Sequence, residues 1–306
     1  MKRKVRIGTR GSKLALAQAE WFRTALQARR ADVAAELVII KTSGDRIVDQ
    51  PLRDIGGKGL FVKEIEQALL DAAIDCAIHS MKDLPGELAG DLLLAAVPPR
   101  EDPRDVLVTR AGLQLETLAP GATVGTSSTR RRALCRALRP DIVLEEMRGN
   151  VDTRLGKLAA GRVDAVILAA AGLNRLGLAP AGMRALDPAV FPPAIGQGAL
   201  AIETRPGEIE AIVACLDDPH THACTRAERA VLAALGGSCL TPIAAHARLD
   251  GGELSIAALV ASPDGSRIVK ARGAGAAADA VDIGRRLADT LRQLGADAIL
   301  AELDVR

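Results

Sequence analysis

Residues Gly125-Thr-Ser-Ser-Thr-Arg-Arg-Arg132 place three arginines at the start of a helix. Ser128 reads as a hydroxyl N-cap, and Ala133 to Leu138 continue the turn as an amphipathic helix. The first turn of a helix exposes N–H groups and a partial positive charge, so each cation there costs roughly 0.3–1 kcal/mol. Arg130 and Arg131 lie four and three residues before Leu134, on the face that Leu134, Ala137 and Leu138 turn inward. Arg132 falls with Arg136 and Arg139 on the opposite face, which reads as solvated. Two inward guanidiniums at a helix start imply an anion beside them; the plainer alternative is a basic surface helix.

The same pairing of guanidinium and hydroxyl or amide recurs. Arg10 and Ser12 follow the first strand and enter a helix. Arg148-Gly-Asn-Val-Asp-Thr-Arg154 does likewise, with Asn150 as N-cap and Arg154 near the inward edge of its helix. Together the three sites imply a cleft for several carboxylates or phosphates. His79-Ser-Met-Lys-Asp-Leu-Pro85 follows an apolar strand, and ligands of open α/β sheets bind outside strand carboxyl ends, so Lys82 and Asp83 are placed for a site. Asp83 capping a turn is the alternative, and His79 by itself reads as structural. Gly56-Gly-Lys-Gly59 fails the Walker pattern, because Leu52 stands where its first glycine belongs and Gly59 replaces the Ser/Thr. It reads either as a mobile loop carrying Lys58 and Phe61 or as an ordinary helix start.

Five cysteines, with no Cys-x-x-Cys pair, argue against a disulfide framework. Cys76, Cys135 and Cys215 fall in strand or helix patterns, and Cys224 in a short linker with His220 and His222 that lacks a convincing fourth metal ligand. Cys239 differs. It stands in Gly236-Gly-Ser-Cys-Leu-Thr-Pro242, where small residues and a proline force a loop, and a thiol so presented is a nucleophile or attachment point unless it simply packs.

The 306 residues carry 40 Lys and Arg against 38 Asp and Glu, with three Phe, one Trp and no Tyr. A nucleic-acid binder would show a basic excess and stacking aromatics, so a small polyanionic ligand suits the local clusters better. No apolar run approaches a membrane span, and Met-Lys-Arg-Lys-Val-Arg6 leads into an alternating strand without a signal-peptide core; a cytoplasmic protein is expected.

Strand and helix alternate over residues 4–98: strands at 4–9, 36–42, 74–78 and 92–97, helices at 13–29 and 60–72. After Pro98-Pro99 a second alternating block has strands at 106–109, around Val124, at 142–145 and at 163–169, with helices from Thr129 and over 151–160. Residues 198–203 add a strand. A helix over 225–235, strands at 243–249, 253–261 and 267–272, and a helix over 277–294 follow. The pattern predicts two α/β lobes with mostly parallel sheets, 1–98 plus 193–220 and 99–192, and an α+β domain over 221–306 with a three-stranded antiparallel sheet. The Ala/Gly run at 271–280 reads as a turn and helix start.

Taken together, the segments Ile7–Ser12, Gly56–Lys63, His79–Pro85, Arg100–Asp105, Gly125–Ser128 with its arginines, Arg148–Asn150, Ala171–Gly177, Gly196–Ala199, Glu228-Arg229 and the Cys239 loop resemble the porphobilinogen deaminases from end to end. The resemblance implies two lobes like those of periplasmic solute-binding proteins and a third domain bearing the cysteine. It implies a dipyrromethane cofactor thioether-linked to Cys239, and head-to-tail joining of four porphobilinogens with loss of ammonia before hydrolytic release. Every ring of substrate and product carries an acetate and a propionate. By matched motif, Arg10, Ser12, Thr126, Ser128, Arg130, Arg131, Arg148, Arg154 and Arg175 would contact these carboxylates. Asp83 would be the catalytic carboxylate, with Lys82 beside the cofactor and Lys58 and Phe61 on the loop over the site. No metal, nucleic acid or membrane is implied, and a monomer is expected. Two positions depart from the family: Asp54 where a loop lysine is usual, and Ser238 where a glycine usually precedes the cysteine. A secreted anion receptor, which would need a signal segment, and a phosphoester enzyme, which would need a Walker or metal motif, are the rival readings.

Overall fold

A computed structural model describes residues 2–46, 62–238 and 240–304. The chain divides into two compact units, Met1–Glu101 with Gly198–His222, and Asp102–Gln197 with Ala223–Arg306.

In the first unit, β1 (Arg3–Thr9), α1 (Lys13–Arg29), β2 (Val33–Ile39), the single turn α2 (Ser43–Arg46), α3 (Lys63–Leu70), β3 (Cys76–Ser80) and β4 (Leu93–Ala96) are joined by β10 (Leu200–Thr204) and α7 (Glu208–Val213) from far along the sequence. The sheet order is β2-β1-β3-β10-β4. Pairing is parallel over β2-β1-β3, while β10 runs antiparallel to both its neighbours. The expectation of a mostly parallel sheet therefore holds for strand direction but not across the β10 ladders. β2 begins three residues before its expected start, because the ladder pairs Arg3 with Val33 and Thr9 with Ile39.

The second unit repeats the plan. β5 (Asp105–Thr109), β6 (Thr123–Gly125), α4 (Thr129–Leu138), β7 (Val143–Glu145), α5 (Val151–Ala159), β8 (Ala165–Ala169), α6 (Ala170–Arg175) and β9 (Met183–Ala185) give the order β7-β6-β8-β5-β9. Here β5 is the antiparallel strand, paired with β8 and β9. The three-residue β9 has too short an apolar run to register in the sequence.

The same unit holds the antiparallel sheet β11 (Ile243–Asp250), β12 (Glu253–Ala261) and β13 (Ile268–Ala276), with α8 (Pro219–Ala234), α9 (Ala280–Gln293) and α10 (Ala296–Asp304). α8 starts six residues before the expected helix: Asp218 Oδ1 accepts the Thr221 N–H at 2.7 Å, and Pro219 needs no donor in the first turn. His220, His222 and Cys224 thus lie in a helix rather than a linker. The Ala/Gly run is also strand, not turn, as far as Ala276. A Cβ at Gly275 would come within 3.0 Å of Ile283 Cδ1, so the bare backbone lets α9 settle on the sheet. Ala244, Leu259 and Ala261 of this sheet share a buried cluster with Val124, Leu134 and Phe191.

Gly284 marks a close crossing of α8 and α9, since a Cβ there would lie 2.3 Å from the Ala227 carbonyl oxygen and 2.7 Å from Ala230 Cβ. Alanine is about 1 kcal/mol better than glycine inside a helix, but forcing α8 and α9 apart costs about 1–3 kcal/mol. Gly284→Ala is expected to lower the denaturation midpoint in urea, where propensity alone would raise it.

Candidate functional site

In the first unit the carboxyl ends of β1 and β3 open on a cavity lined by Arg10, Ser12, Gln18, Val62, His79, Ser80 and Asp83, among others. Ser12 is the N-cap of α1, accepting the Ala15 N–H at 3.3 Å. Gln18, buried on the first turns of that helix, donates to Ser80 Oγ at 3.0 Å. Lys82 and Asp83 sit in a 3-10 turn, Met81–Asp83, pinned by the buried Met81 and Leu84. Arg10, Ser12 and Asp83 are thus brought together. Lys58, Phe61 and Asp54 lie outside the described residues.

In the second unit Ser128 caps α4 and accepts the Arg131 N–H at 3.4 Å, while Thr126 is buried and its hydroxyl accepts the Ser128 N–H. Arg130 and Arg131 face inward, 3 % and 6 % exposed. The anion beside them belongs to the protein. Asp105 Oδ2 accepts from Arg130 Nη2 at 2.7 Å, and Oδ1 accepts from Arg131 Nη2 at 2.7 Å and Nε at 3.1 Å. Gln197 Nε2 donates to the same Oδ1 at 2.8 Å, Arg130 Nη1 donates to the Pro192 carbonyl and Arg131 Nη1 to the Ile167 carbonyl. Arg130 also lies 5.9 Å above the Phe191 ring. Burial alone would push the Asp105 carboxyl up, but the charges of Arg130 and Arg131 and the Gln197 hydrogen bond outweigh it and hold it well below the usual range.

The rest of α4 departs from its helical wheel. Ala137 and Leu138 are exposed, because the buried stripe runs Arg130, Arg131, Leu134, Cys135 and the helix ends at Leu138. Arg132, Arg136 and Arg139 are half-buried and bond carbonyls of Leu144, Pro263, Leu115 and Leu118 rather than water alone.

Asn150 caps α5 as its spacing implies, accepting the Thr153 N–H at 2.9 Å. Arg154 is pushed down to about 10 by burial, then by the like charges of Arg131 and Arg148. Burial is the larger cause; the smaller part, from Arg131 and Arg148, reflects like charges nearby that an anion would relieve. Arg148 and Arg175 are half-buried in the same unit, Arg175 at the end of α6.

Cys239 lies outside the described residues, but both neighbours are held. Thr129 Oγ1, at the start of the arginine helix, donates to the Leu240 carbonyl at 2.7 Å. Ser238 N–H donates to Thr241 Oγ1 at 2.9 Å, and Ser238 Oγ accepts the Leu240 N–H at 3.2 Å. The serine departure thus supplies a hydroxyl brace across the cysteine position. The other four cysteines form no disulfide among the described residues, and burial pushes the Cys135 thiol up to about 12, as suits a core residue.

Asp105 and Gln197 were not given roles by the sequence, nor was the acid at Glu203. The signal was present: an Asp opens the wholly apolar strand Val106–Val108, and a Gln follows Gly196, at positions where ordinary core would be apolar.

Two family models match the chain: "Porphobilinogen deaminase, dipyromethane cofactor binding domain" over residues 5–212, and "Porphobilinogen deaminase, C-terminal domain" over 222–293. The porphobilinogen deaminase of Syntrophobacter fumaroxidans is 50% identical over 303 residues, 98% of each chain. That of Bordetella parapertussis is 52% identical over 299 residues, 97% of this chain and 95% of the relative. Among solved structures, the periplasmic aliphatic sulphonate binding protein SsuA from Escherichia coli is 17% identical with a TM-score of 0.41, covering 76% of this chain and 70% of that one.

Removing one partner of a buried ion pair costs about 3–5 kcal/mol. Asp105→Asn is expected to lower unfolding free energy by about that amount in denaturant titration. The Asp105 pKa is depressed on folding, so its contribution is present above pH ~4, the unfolded carboxylate value, and is lost as pH falls through the folded value. Arg154→Met is expected to do the opposite to stability. It removes like-charge repulsion and raises the melting temperature of the ligand-free protein, while weakening binding of a polycarboxylate measured by calorimetry.

Proposed function

This chain belongs to the porphobilinogen deaminase family, transferases that polymerise pyrroles in tetrapyrrole biosynthesis, and we propose that it joins four porphobilinogens head to tail, loses one ammonia per unit and releases hydroxymethylbilane by hydrolysis. The observation that carries this reading is the cavity where Arg10, Ser12 and Asp83 converge at the ends of β1 and β3. A guanidinium and a capped helix N-terminus suit a carboxylate-bearing ring, and a carboxylate opposite them suits pyrrole N–H groups.

The cofactor of the family is dipyrromethane, which when bound supplies the pyrrole carbon to which substrate is joined. This chain's residues fit it: Arg131 and Arg148 stand near enough to Arg154 for their like charges to act on it, and Thr129 ties the residue after Cys239 to the arginine helix. Cys239 is the proposed thioether site, with Lys82, Asp83, Ser128, Arg130 and Arg131 as cofactor contacts. Thr126, Arg148, Arg154 and Arg175, with Arg10 and Ser12, take substrate carboxylates, and Lys58 and Phe61 cover the site. Asp83 stabilises the cation left on the substrate methylene as the C–N bond breaks, since a fixed carboxylate beside the pyrrole N–H groups opposes developing positive charge. Arg130 and Arg131 serve through the charge that two guanidiniums retain over one carboxylate, and their donors are shared with Asp105.

We read the chain as three domains, 1–98 with 193–220, 99–192 and 221–306, acting as a cytoplasmic monomer on a small-molecule substrate without nucleic acid or membrane. No helix of the described residues is long and apolar enough to cross a membrane.

Intact mass under denaturing conditions is expected to exceed the sequence mass by one dipyrromethane, mapped by peptide digestion to Cys239. Cys239→Ser should lose the adduct, and Cys135→Ser should keep it; an active protein without an adduct contradicts the assignment. Asp83→Asn should fold, retain its pyrroles and lose about 10²–10³-fold in turnover, the size typical of such electrostatic groups.

A further inference from the structure

Three hydroxyl groups, none of them assigned above to substrate or cofactor, converge on the two flanks of residue 239. Ser238 N–H donates to Thr241 Oγ1 at 2.9 Å, and Leu240 N–H donates to Ser238 Oγ at 3.2 Å. Thr241 N–H closes the turn on the Ser238 carbonyl at 3.0 Å, and the Thr241 carbonyl accepts the Ile243 N–H at 2.8 Å, which leads the chain into β11. The turn is thus closed by side chains as well as by backbone. It has need of them, because it follows Gly236, in the left-handed region at φ +65°, and Gly237. Glycine backbone loses the most conformational freedom on ordering, so local propensity does little to hold such a turn.

The third hydroxyl comes from the arginine helix. Thr129 is the first residue of α4, and its Oγ1 donates to the Leu240 carbonyl at 2.7 Å across 111 residues of sequence. A threonine inside a helix spends its hydroxyl on the carbonyl one turn back. At the first position that preceding turn is not helical, so the hydroxyl serves another segment. The far end of α4 is fixed to the same small sheet. Arg136 Nη1 donates to the Pro263 carbonyl at 2.6 Å, and a Cβ on Gly265 would come 2.5 Å from the Ala133 carbonyl oxygen. Leu134 shares a buried cluster with Ala244 and Leu259. Helix and sheet cannot slide past each other without breaking that packing, so Thr129 pins the turn to a helix whose place is already set.

We propose that Thr129, Ser238 and Thr241 are positioning residues for thioether formation, presetting the turn against the start of the arginine helix before the cofactor is attached. This rests on the porphobilinogen reading and deepens it, by assigning how the chain prepares to load its own primer. At attachment the Cys239 sulfur forms an S–C bond to the porphobilinogen methylene as the C–N bond breaks. The amine leaves as ammonia, taking the thiol proton with it. None of the three hydroxyls gains or loses a proton in that step. Their contribution is to order a glycine-flanked turn in advance, so that the reaction does not bear that cost. One neutral hydrogen bond of ordinary strength shifts such an equilibrium about tenfold. The effect is confined to attachment, since a thioether already formed holds the primer in place.

The test uses the full chain produced without porphobilinogen, as wild type and as Thr129→Val, Thr129→Ser and Ser238→Ala. Porphobilinogen is then added, and intact mass follows the pyrrole gained by each protein with time. Thr129→Val and Ser238→Ala should load about tenfold more slowly than wild type, and Thr129→Ser, which keeps the hydroxyl, at the wild-type rate. Turnover per loaded chain should equal wild type in all three. A folded Thr129→Val protein that loads at the wild-type rate overturns the assignment. So does a Thr129→Ser protein as slow as Thr129→Val, because shape rather than the hydroxyl would then matter. Loss of turnover per loaded chain in step with loading also overturns it, since the residues would then act throughout the reaction. If the variants fail to fold, hydrogen exchange of the unloaded wild type decides. Leu240 and Thr241 amides protected well beyond an unstructured peptide support a preset turn, and amides exchanging at the peptide rate overturn it. Wild-type protein that gains no pyrrole mass at Cys239 overturns the porphobilinogen reading itself, whereas variants that load at the wild-type rate overturn only the positioning role.

Discussion

The second unit is organised around one buried carboxylate. Asp105 opens β5 with no exposed surface, and it gathers Arg130 and Arg131 from one part of the chain and Gln197 from another. Each partner is needed for a different reason. The arginines supply the charge that a carboxylate in an apolar strand requires, and Gln197 fills a lone pair they leave. In return, Asp105 lets two arginines occupy the first turn of α4, where the helix dipole and each other's charge would disfavour them. One carboxylate against two guanidiniums leaves the cluster positive. That surplus, extended to Arg148 and Arg154, is what an anionic ligand would meet.

The two five-stranded sheets solve one problem twice. Each has three strands in parallel register, then an antiparallel strand, then a fifth on its far side. The antiparallel strands are β10 in one sheet and β5 in the other, the strands beside which the chain passes from one unit to the next. Placing the late strand β10 next to β3 is what brings Glu203 to His79. No local propensity in residues 76–80 or 200–204 encodes that meeting.

The C-terminal sheet is held by small residues used as clearances. Gly275 admits Ile283, Gly284 admits the α8 backbone, and Gly265 lets the β12–β13 turn approach α4, where a Cβ would come 2.5 Å from the Ala133 carbonyl. The same turn accepts a hydrogen bond from Arg136 through the Pro263 carbonyl, and Thr129 reaches the Leu240 carbonyl. The arginine helix is therefore fixed by contacts to the small sheet as well as to its own lobe.

Sequence by itself determined most of the element order, the α/β and α+β classes, the caps at Ser12, Ser128 and Asn150, and the strand-end locations of Arg10 and Asp83, because these follow from local periodicity, hydroxyl and amide placement, and turn chemistry. The inward orientation of Arg130 and Arg131 was legible for the same reason: a helix repeats every 3.6 residues whatever it packs against. Tertiary structure alone decided what those arginines meet. A buried charge must find its partner through space, and Asp105 is some 25 residues away in sequence. The meeting of His79 and Glu203 was hidden likewise, since a lone histidine in an apolar strand gives no sign of an acid more than a hundred residues later until the sheet pairs their strands. Strand β13 and the start of α8 were misread locally because glycine and proline are penalised by propensity, and only the packing they permit explains why they stand there.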